Sequence, residues 1–309
     1  MNWPQLLVTV LTLGSIFGVV TLSLNLQYAR GGMINFGIVA YFAVGAYTYA
    51  IFTQPPPQGL DQYKFGFGWP WWTAVIVAGL AALVFAAVTG WPTLRLRGEY
   101  LALTTFAFAE VFHSLLLNER RIGNGTVGLA RVERPFGDWG PIEEKYVFAG
   151  AAALLLVATL LVFRRLLVSP YGRALDAIRD DETAALAAGK PAQKMRRQVF
   201  LISAVPVGFA GAVYAMFTTL AQPSLFTAEV TFIVWIALVL GGERSVYGVV
   251  LGTVGLVFFE EIVRAWPFET VRSAQIAAAV EHVVTGLVFI AVLRYQPFQA
   301  AATRLRVSK

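Results

Sequence analysis

The chain is 309 residues long, 57% hydrophobic and only 14% charged, with a mean hydropathy of +0.65. That balance leaves too few ionisable groups to cover a water-facing surface and excludes a soluble globular domain. The lack of cysteine excludes a disulfide framework or a thiolate metal centre, His113 and His282 are the only imidazoles, and the net charge of +6 fits basic cytoplasmic loops better than nucleic-acid binding.

A helical crossing needs about 20 apolar residues, and runs of that length bounded by charge, Pro or Gly recur along the whole chain. They lie near 5–26, 33–53, 71–90, 100–118, 146–163, 198–220, 246–263 and 276–294, with a shorter run at 229–241. The first has no basic flank before it and no small-residue cleavage site after it, so it reads as a retained helix. The expected fold is all-α: a polytopic membrane bundle of about eight to ten crossings, with at least one broken helix and no separate soluble domain. A single transmembrane domain over 1–309 is therefore expected, with one long loop at about 164–197.

Nine alternating crossings put sixteen of the 24 Lys and Arg residues on one side, which the positive-inside rule makes cytoplasmic. The C-terminus is then inside and the N-terminus outside; a further crossing hidden around 27–40 would reverse the N-terminal side only. The 119–145 loop, which holds most of the remaining basic residues, carries as many acids as bases.

Inside the 164–197 loop, "SPYGRALDAIRDDETAALAAGKP" has a helical pattern. Tyr171, Leu175, Ile178, Ala185 and Leu186 fall roughly on one face, while Arg173, Asp176 and Asp180 lie elsewhere. Ser-Pro opens the helix and Gly189 followed by Pro191 closes it. Such a helix suits docking into a groove of another protein or lying on the lipid surface; the pattern alone leaves both open.

Gly31, Gly32, Gly37 and Gly45 thin the second apolar run, and the 229–241 run reaches Gly241-Gly242 before it is long enough to cross. Broken helices at membrane depth line cavities or are covered by protein, and transporter sites are built from their ends. Most of these glycines are expected to serve close helix packing, with substrate contact near Asn35, Phe36 and Gly37 and at Gly241 and Gly242. Glu110 and His113 share a face within the 100–118 run. A structural hydrogen-bonding role is preferred for the pair over a transport role, and an intramembrane enzyme using them as acid and base is the distant alternative. Metal ligation is not expected, because H-E-x-x-H and clustered Asp are absent, and no Walker A motif is present to bind ATP. A passive channel would not need the docking loop.

"DETAALAAGKPAQKMRRQVFLISAVPVGFAGAVYA" resembles the coupling segment of bacterial ABC importer permeases, whose E-A-A-x-x-x-G core grips an ATPase. Here that core reads Thr183, Ala184, Ala185, Leu186, Ala187, Ala188, Gly189, with Thr in the Glu position and Glu182 one residue early. "GGMINFGIVAYFAVGAYTYA", "LRLRGEYLALTTFAFAEVF", "SPYGRALDAIRDDE", "GFAGAVYA" and "LVLGGERSVYGVVLG" follow in the order found in the branched-chain amino acid permease family, LivM-type, with Arg244 where a Gly is usual. The resemblance covers about 20–297; beyond it, "YQPFQA" keeps Pro297 but lacks the Gly that usually follows.

The resemblance implies a permease subunit, not an enzyme, in the bacterial inner membrane. It further implies a homologous second permease, two ABC ATPases that carry the ATP and Mg, a periplasmic or lipoprotein substrate-binding protein and the membrane lipid as partners, with no cofactor held by this chain. Gly172, Arg173, Ala174, Thr183, Ala184, Ala185 and Gly189 would then couple to the ATPase, and Glu110 with the glycine breaks would border the path. Leu, Ile or Val is the implied cargo; urea or short amides are the alternative.

Overall fold

The computed structural model describes residues 3–56, 63–135, 141–243 and 245–265, with scattered positions between 276 and 294. Eleven α-helices follow in chain order among the described residues, and their only strands are the two-residue antiparallel pair β1 (Leu129–Ala130) and β2 (Leu220–Ala221). The first half holds α1 (Trp3–Asn25, prolonged to Arg30 by a π-helical turn), α2 (Ile38–Thr53), α3 (Trp71–Thr93) and α4 (Gly98–Asn118). Short α5 (Arg120–Gly123) precedes α6 (Pro141–Val168), and α7 (Pro170–Asp180) and α8 (Glu182–Ala187) fill the long loop. Then come α9 (Ala192–Thr218), α10 (Ala228–Gly241) and α11 (Val246–Ala265). Among the described residues seven segments are long and apolar enough to cross a membrane, α10 reaching that length with the 3-10 turn before it (Pro223–Gly241), against the expectation that this run is too short; α2, at 16 residues, falls short. The run expected at 276–294, together with Arg244, Glu281, His282 and Pro297, lies wholly or mostly outside the described residues.

The centre is a tight group of α2, α3 and α9. On α3, Ala74, Ala78, Ala82 and Ala86 recur every fourth residue and are wholly buried, so the partner backbones come close. Gly45 of α2 sits so near the Gly208 backbone of α9 that a Cβ would overlap its carbonyl. Phe42, Tyr214 and Phe226 fill the space above with edge-to-face and tilted rings. Pro206 is carried within α9 and Pro92 within the last turn of α3. Helix α1 packs against α6, α9 and α11 around this group.

One end of the bundle gathers the 119–135 segment, β2 and the chain before α3: Tyr49 Oη donates to the Glu133 carbonyl, Gln54 Nε2 to that of Ala130, and Lys64 N to that of Arg121. The opposite end holds Arg30, the α3–α4 turn, α7, α8 and the α10–α11 turn. Arg30, Arg97, Arg179 and Arg196, all assigned to one side by the charge count, meet there.

Two local expectations are corrected. The second apolar run does not start as a helix at 33: residues 31–37 are irregular and α2 begins at Ile38, because hydropathy reports burial and not backbone shape. The same irregular stretch rules out a helix hidden at 27–40. The long loop holds two helices and not one, since the backbone turns extended at Asp181 (φ −150°, ψ 102°), whose carboxylate accepts from Ala184 N to start α8.

Candidate functional site

The irregular segment 31–37 is held by polar contacts from four helices. Met33 N donates to the Gln27 carbonyl of the π turn and Phe36 N to Thr105 Oγ1 of α4. Asn35 is fully buried. Its Oδ1 accepts from Gly37 N at 2.7 Å, its Nδ2 donates to Gln27 Oε1 at 2.9 Å, and its carbonyl accepts from Trp235 Nε1 of α10 at 3.1 Å. Gln27 Nε2 in turn donates to Ser203 Oγ of α9 at 2.6 Å. In the apolar interior every one of these groups would be costly if left unmade, so the segment is pinned to α1, α4, α9 and α10 together. Gly37 is buried against the Thr105 carbonyl.

Phe36, like Ile34, is partly open to the surface, and Gly32 is exposed. The half-buried Phe36 ring stacks on Trp235 at 5.1 Å and meets Phe232, itself 48% exposed, at 5.7 Å. Helix α4 buries Leu101, Thr105, Ala109 and Leu116 and leaves Tyr100, Leu103, Val111 and Leu115 exposed. Glu110 lies at the border of those stripes, half-buried and without a hydrogen-bond or ion partner among the described residues. His113 does not pair with it: its Nε2 lies 3.2 Å from the Pro223 carbonyl before α10. Gly241 packs against Gly248 at the start of α11, and Gly242 leaves α10 with φ +81°.

The helix pair α7–α8 lies at the other end of this arrangement. Its apolar face is turned toward the chain's own core: Leu175, Ile178 and Ala185 are buried, as are Gly172, which presses on the Leu167 backbone, and Ala174. Tyr171 Oη donates to the Met195 carbonyl of α9. The face left open carries Arg173, Thr183, Ala184, Leu186 and Gly189. Periodicity identifies a buried face but not what buries it, and here it is the bundle. Gly189 closes α8 with φ +76° and nothing within 4 Å of an added Cβ.

Ion pairs tie the pair to the helix ends around segment 31–37. Arg30, at the end of the π turn, donates from Nη1 to Asp176 of α7 at 2.8 Å, so Asp176 is not the solvated charge its position on the helix implied. Arg179 donates to the Ala29 carbonyl at 2.6 Å and reaches Glu243 of the α10–α11 turn at 3.3 Å; the Glu243 carbonyl also accepts from Asn25 Nδ2. Glu182 bridges two arginines, Oε1 with Arg97 of the α3–α4 turn at 2.9 Å and Oε2 with Arg196 of α9 at 3.0 Å. These contacts join α7–α8 to the ends of α1, α4, α9 and α10, the same helices that clamp Asn35. Arg30, Arg97, Arg179, Arg196 and Glu243 were not singled out as site residues. For the four arginines the signal was the excess of basic residues on one side, which does not name partners; Glu243 carried none.

Residues 6–293 match the family described as branched-chain amino acid transport system / permease component. The high-affinity branched-chain amino acid transport system permease protein LivM of Escherichia coli K12 is 34% identical over 290 residues, covering 85% of this chain and 65% of the relative. The Salmonella typhimurium LivM is 33% identical over the same shares, and the probable LivM of Methanocaldococcus jannaschii is 24% identical over 91% of this chain and 89% of its own length. The chain thus spans about two thirds, just under, of the length of the first two relatives. No solved structure matches it. With the family's match running from the first helix through α7 and α8 to residue 293, the chain belongs to the branched-chain amino acid transport system permease component family.

Proposed function

We propose that this chain forms one half of the membrane pathway of an ATP-driven importer and acts as a single permease domain over 1–309 with its coupling element within about 164–197. In this reading it pairs with a homologous second permease. Two ABC ATPases, which bind ATP and Mg, sit under the open face of α7–α8, and a periplasmic or lipoprotein binding protein delivers the cargo. Nine crossings then place the N-terminus outside and the C-terminus in the cytoplasm of a bacterial inner-membrane protein. The observation that carries the reading is the polar linkage from α7–α8 through Arg179, Arg30 and Glu182 to the helix ends around the pinned segment 31–37.

Within that linkage Arg173, Thr183, Ala184 and Gly189 present the surface for the ATPase, while Gly172, Ala174 and Ala185 seat the lever on the bundle. Phe36, with Phe232 and Trp235, supplies an apolar wall to the path, and Glu110 borders it where the second permease closes over α4. Asn35, Gly37, Gly241 and Gly242 shape the breaks that let this wall form. Leu, Ile or Val suits aromatic walls better than urea or a short amide, which would ask for hydrogen bonds. The deciding experiment is reconstitution with the native partner subunits and binding protein, measuring which ligand stimulates ATP hydrolysis and uptake. Stimulation by branched-chain amino acids supports the assignment; stimulation by urea or amides alone, or hydrolysis that no ligand affects, overturns it.

A further inference from the structure

The outer face of α3 carries a continuous apolar strip. Trp72, Ile76, Leu80, Val84 and Val88 recur every fourth residue, Trp91 follows, and all six are more than half exposed. From Trp72 to Trp91 the helix rises about 29 Å, the thickness of a hydrocarbon core, and tryptophan marks both ends as it does at membrane interfaces. The strip therefore faces acyl chains.

Where the strip ends at Trp91, α3 and the start of α9 border an open pocket of about 600 Å³ whose wall includes the exposed Arg95, Arg97, Lys194 and Arg197. Gln193 Nε2 donates to the Leu94 carbonyl at 2.6 Å and fixes the two helices there. Arg97 is engaged by Glu182. Arg95, Lys194 and Arg197 have no acidic partner among the described residues, and the Arg197 guanidinium lies over the Trp91 ring at 4.7 Å. Three uncompensated cations that share one pocket repel one another, and an anion seated between them removes that repulsion. A ligand that fits both features has a phosphate at one end and long apolar chains at the other.

We propose that this pocket is a specific site for an anionic glycerophospholipid, with the phosphate among Arg95, Lys194 and Arg197 and an acyl chain along the α3 strip. Basic pockets between membrane helices at the cytoplasmic surface bind anionic headgroups by the same electrostatics. Because Arg97 belongs both to the pocket wall and to the Glu182 bridge, the bound lipid would abut the connection between the coupling helices and the bundle. The site depends on the chain being embedded in a bilayer and not on the identity of the cargo, so its test does not use transport.

The full chain, purified in detergent, is titrated with phosphatidylglycerol or phosphatidylcholine, and bound lipid is counted by native mass spectrometry. Wild type is expected to retain phosphatidylglycerol preferentially. Lys194→Gln with Arg197→Gln should weaken that retention by roughly fivefold per charge removed, whereas Lys194→Arg with Arg197→Lys should keep it. Arg164→Gln with Arg165→Gln, exposed at the end of α6 and outside the pocket, should leave it unchanged. Equal retention of both lipids, unchanged retention in the neutral pocket variant, or displacement of the lipid by millimolar inorganic phosphate would overturn the proposal; the last would identify a site for free phosphate only.

Discussion

The α2–α3–α9 group and the α7–α8 end are built on opposite physical terms. In the first, alanines and glycines bring backbones into contact, with Gly45 against Gly208 and the alanine stripe of α3 beneath. Such packing has one arrangement and resists displacement. In the second, a small buried face is supplemented by directional pairs between long side chains, Arg30–Asp176, Arg179–Glu243 and Glu182 with Arg97 and Arg196. The more exposed of these, Arg30–Asp176 and Arg179–Glu243, cost little to exchange. Under the proposed function the rigid region would hold the geometry of the path, and the wired region could be moved by a partner without unfolding it.

The largest effect should come from breaking the rigid side. Gly45→Leu would drive a side chain into the Gly208 backbone and is expected to cost ~3 kcal/mol or more. Recovery of monodisperse protein and its unfolding temperature would report this; a stable, monodisperse variant would refute the description of that contact. Next is Glu182→Gln, which leaves Arg97 and Arg196 without their carboxylate. The chain should insert and remain folded, but with partner subunits substrate-stimulated ATP hydrolysis should fall about tenfold, equivalent to ~1.4 kcal/mol of coupling. Unaltered stimulation would mean that the bridge is not part of the lever.

Gly189→Ala probes the lever's end, where φ +76° disfavours any side chain by about 1–2 kcal/mol although there is space for it. Membrane yield should match wild type while copurification of the ATPases weakens. The smallest effect is expected at Arg30–Asp176, whose side chains are 28% and 39% exposed. A double-mutant cycle of Arg30→Gln and Asp176→Asn, read by thermal unfolding, should give a coupling of less than ~1 kcal/mol that shrinks as salt is added. A salt-independent coupling several times larger would make this end as rigid as the core.

Helix positions and the side-to-side distribution of charge were readable from hydropathy and basic residues because the bilayer imposes both. The residues of α7–α8 were readable as amphipathic, but the direction of their apolar face was not: periodicity is identical whether a helix packs on its own bundle or on a partner. Nor was the break at Asp181 apparent, since an acid within a charged run looks like solvated surface until its carboxylate is found capping Ala184 N. Glu182 was visible as an acid one residue ahead of the usual position, yet its partners Arg97 and Arg196 come from a distant turn and from the next helix. At the breaks, Asn35 was noticed for its polarity alone. What decides its surroundings is the set of donors and acceptors on α1, α4 and α10, and no local pattern encodes these.

Asn35 also bears on how firmly the proposed path would hold a cargo. Its side chain is fully buried and bonded to Gln27 and Gly37, and its carbonyl to Trp235, so it is out of reach of a molecule on the proposed path. The neighbouring ring of Phe36 offers contact without directionality. On the proposed path a molecule received on such a wall would be poorly gripped, and a poor grip shortens its stay: the bend at 31–37 would favour rapid release over retention, leaving selection to whatever hands the molecule in.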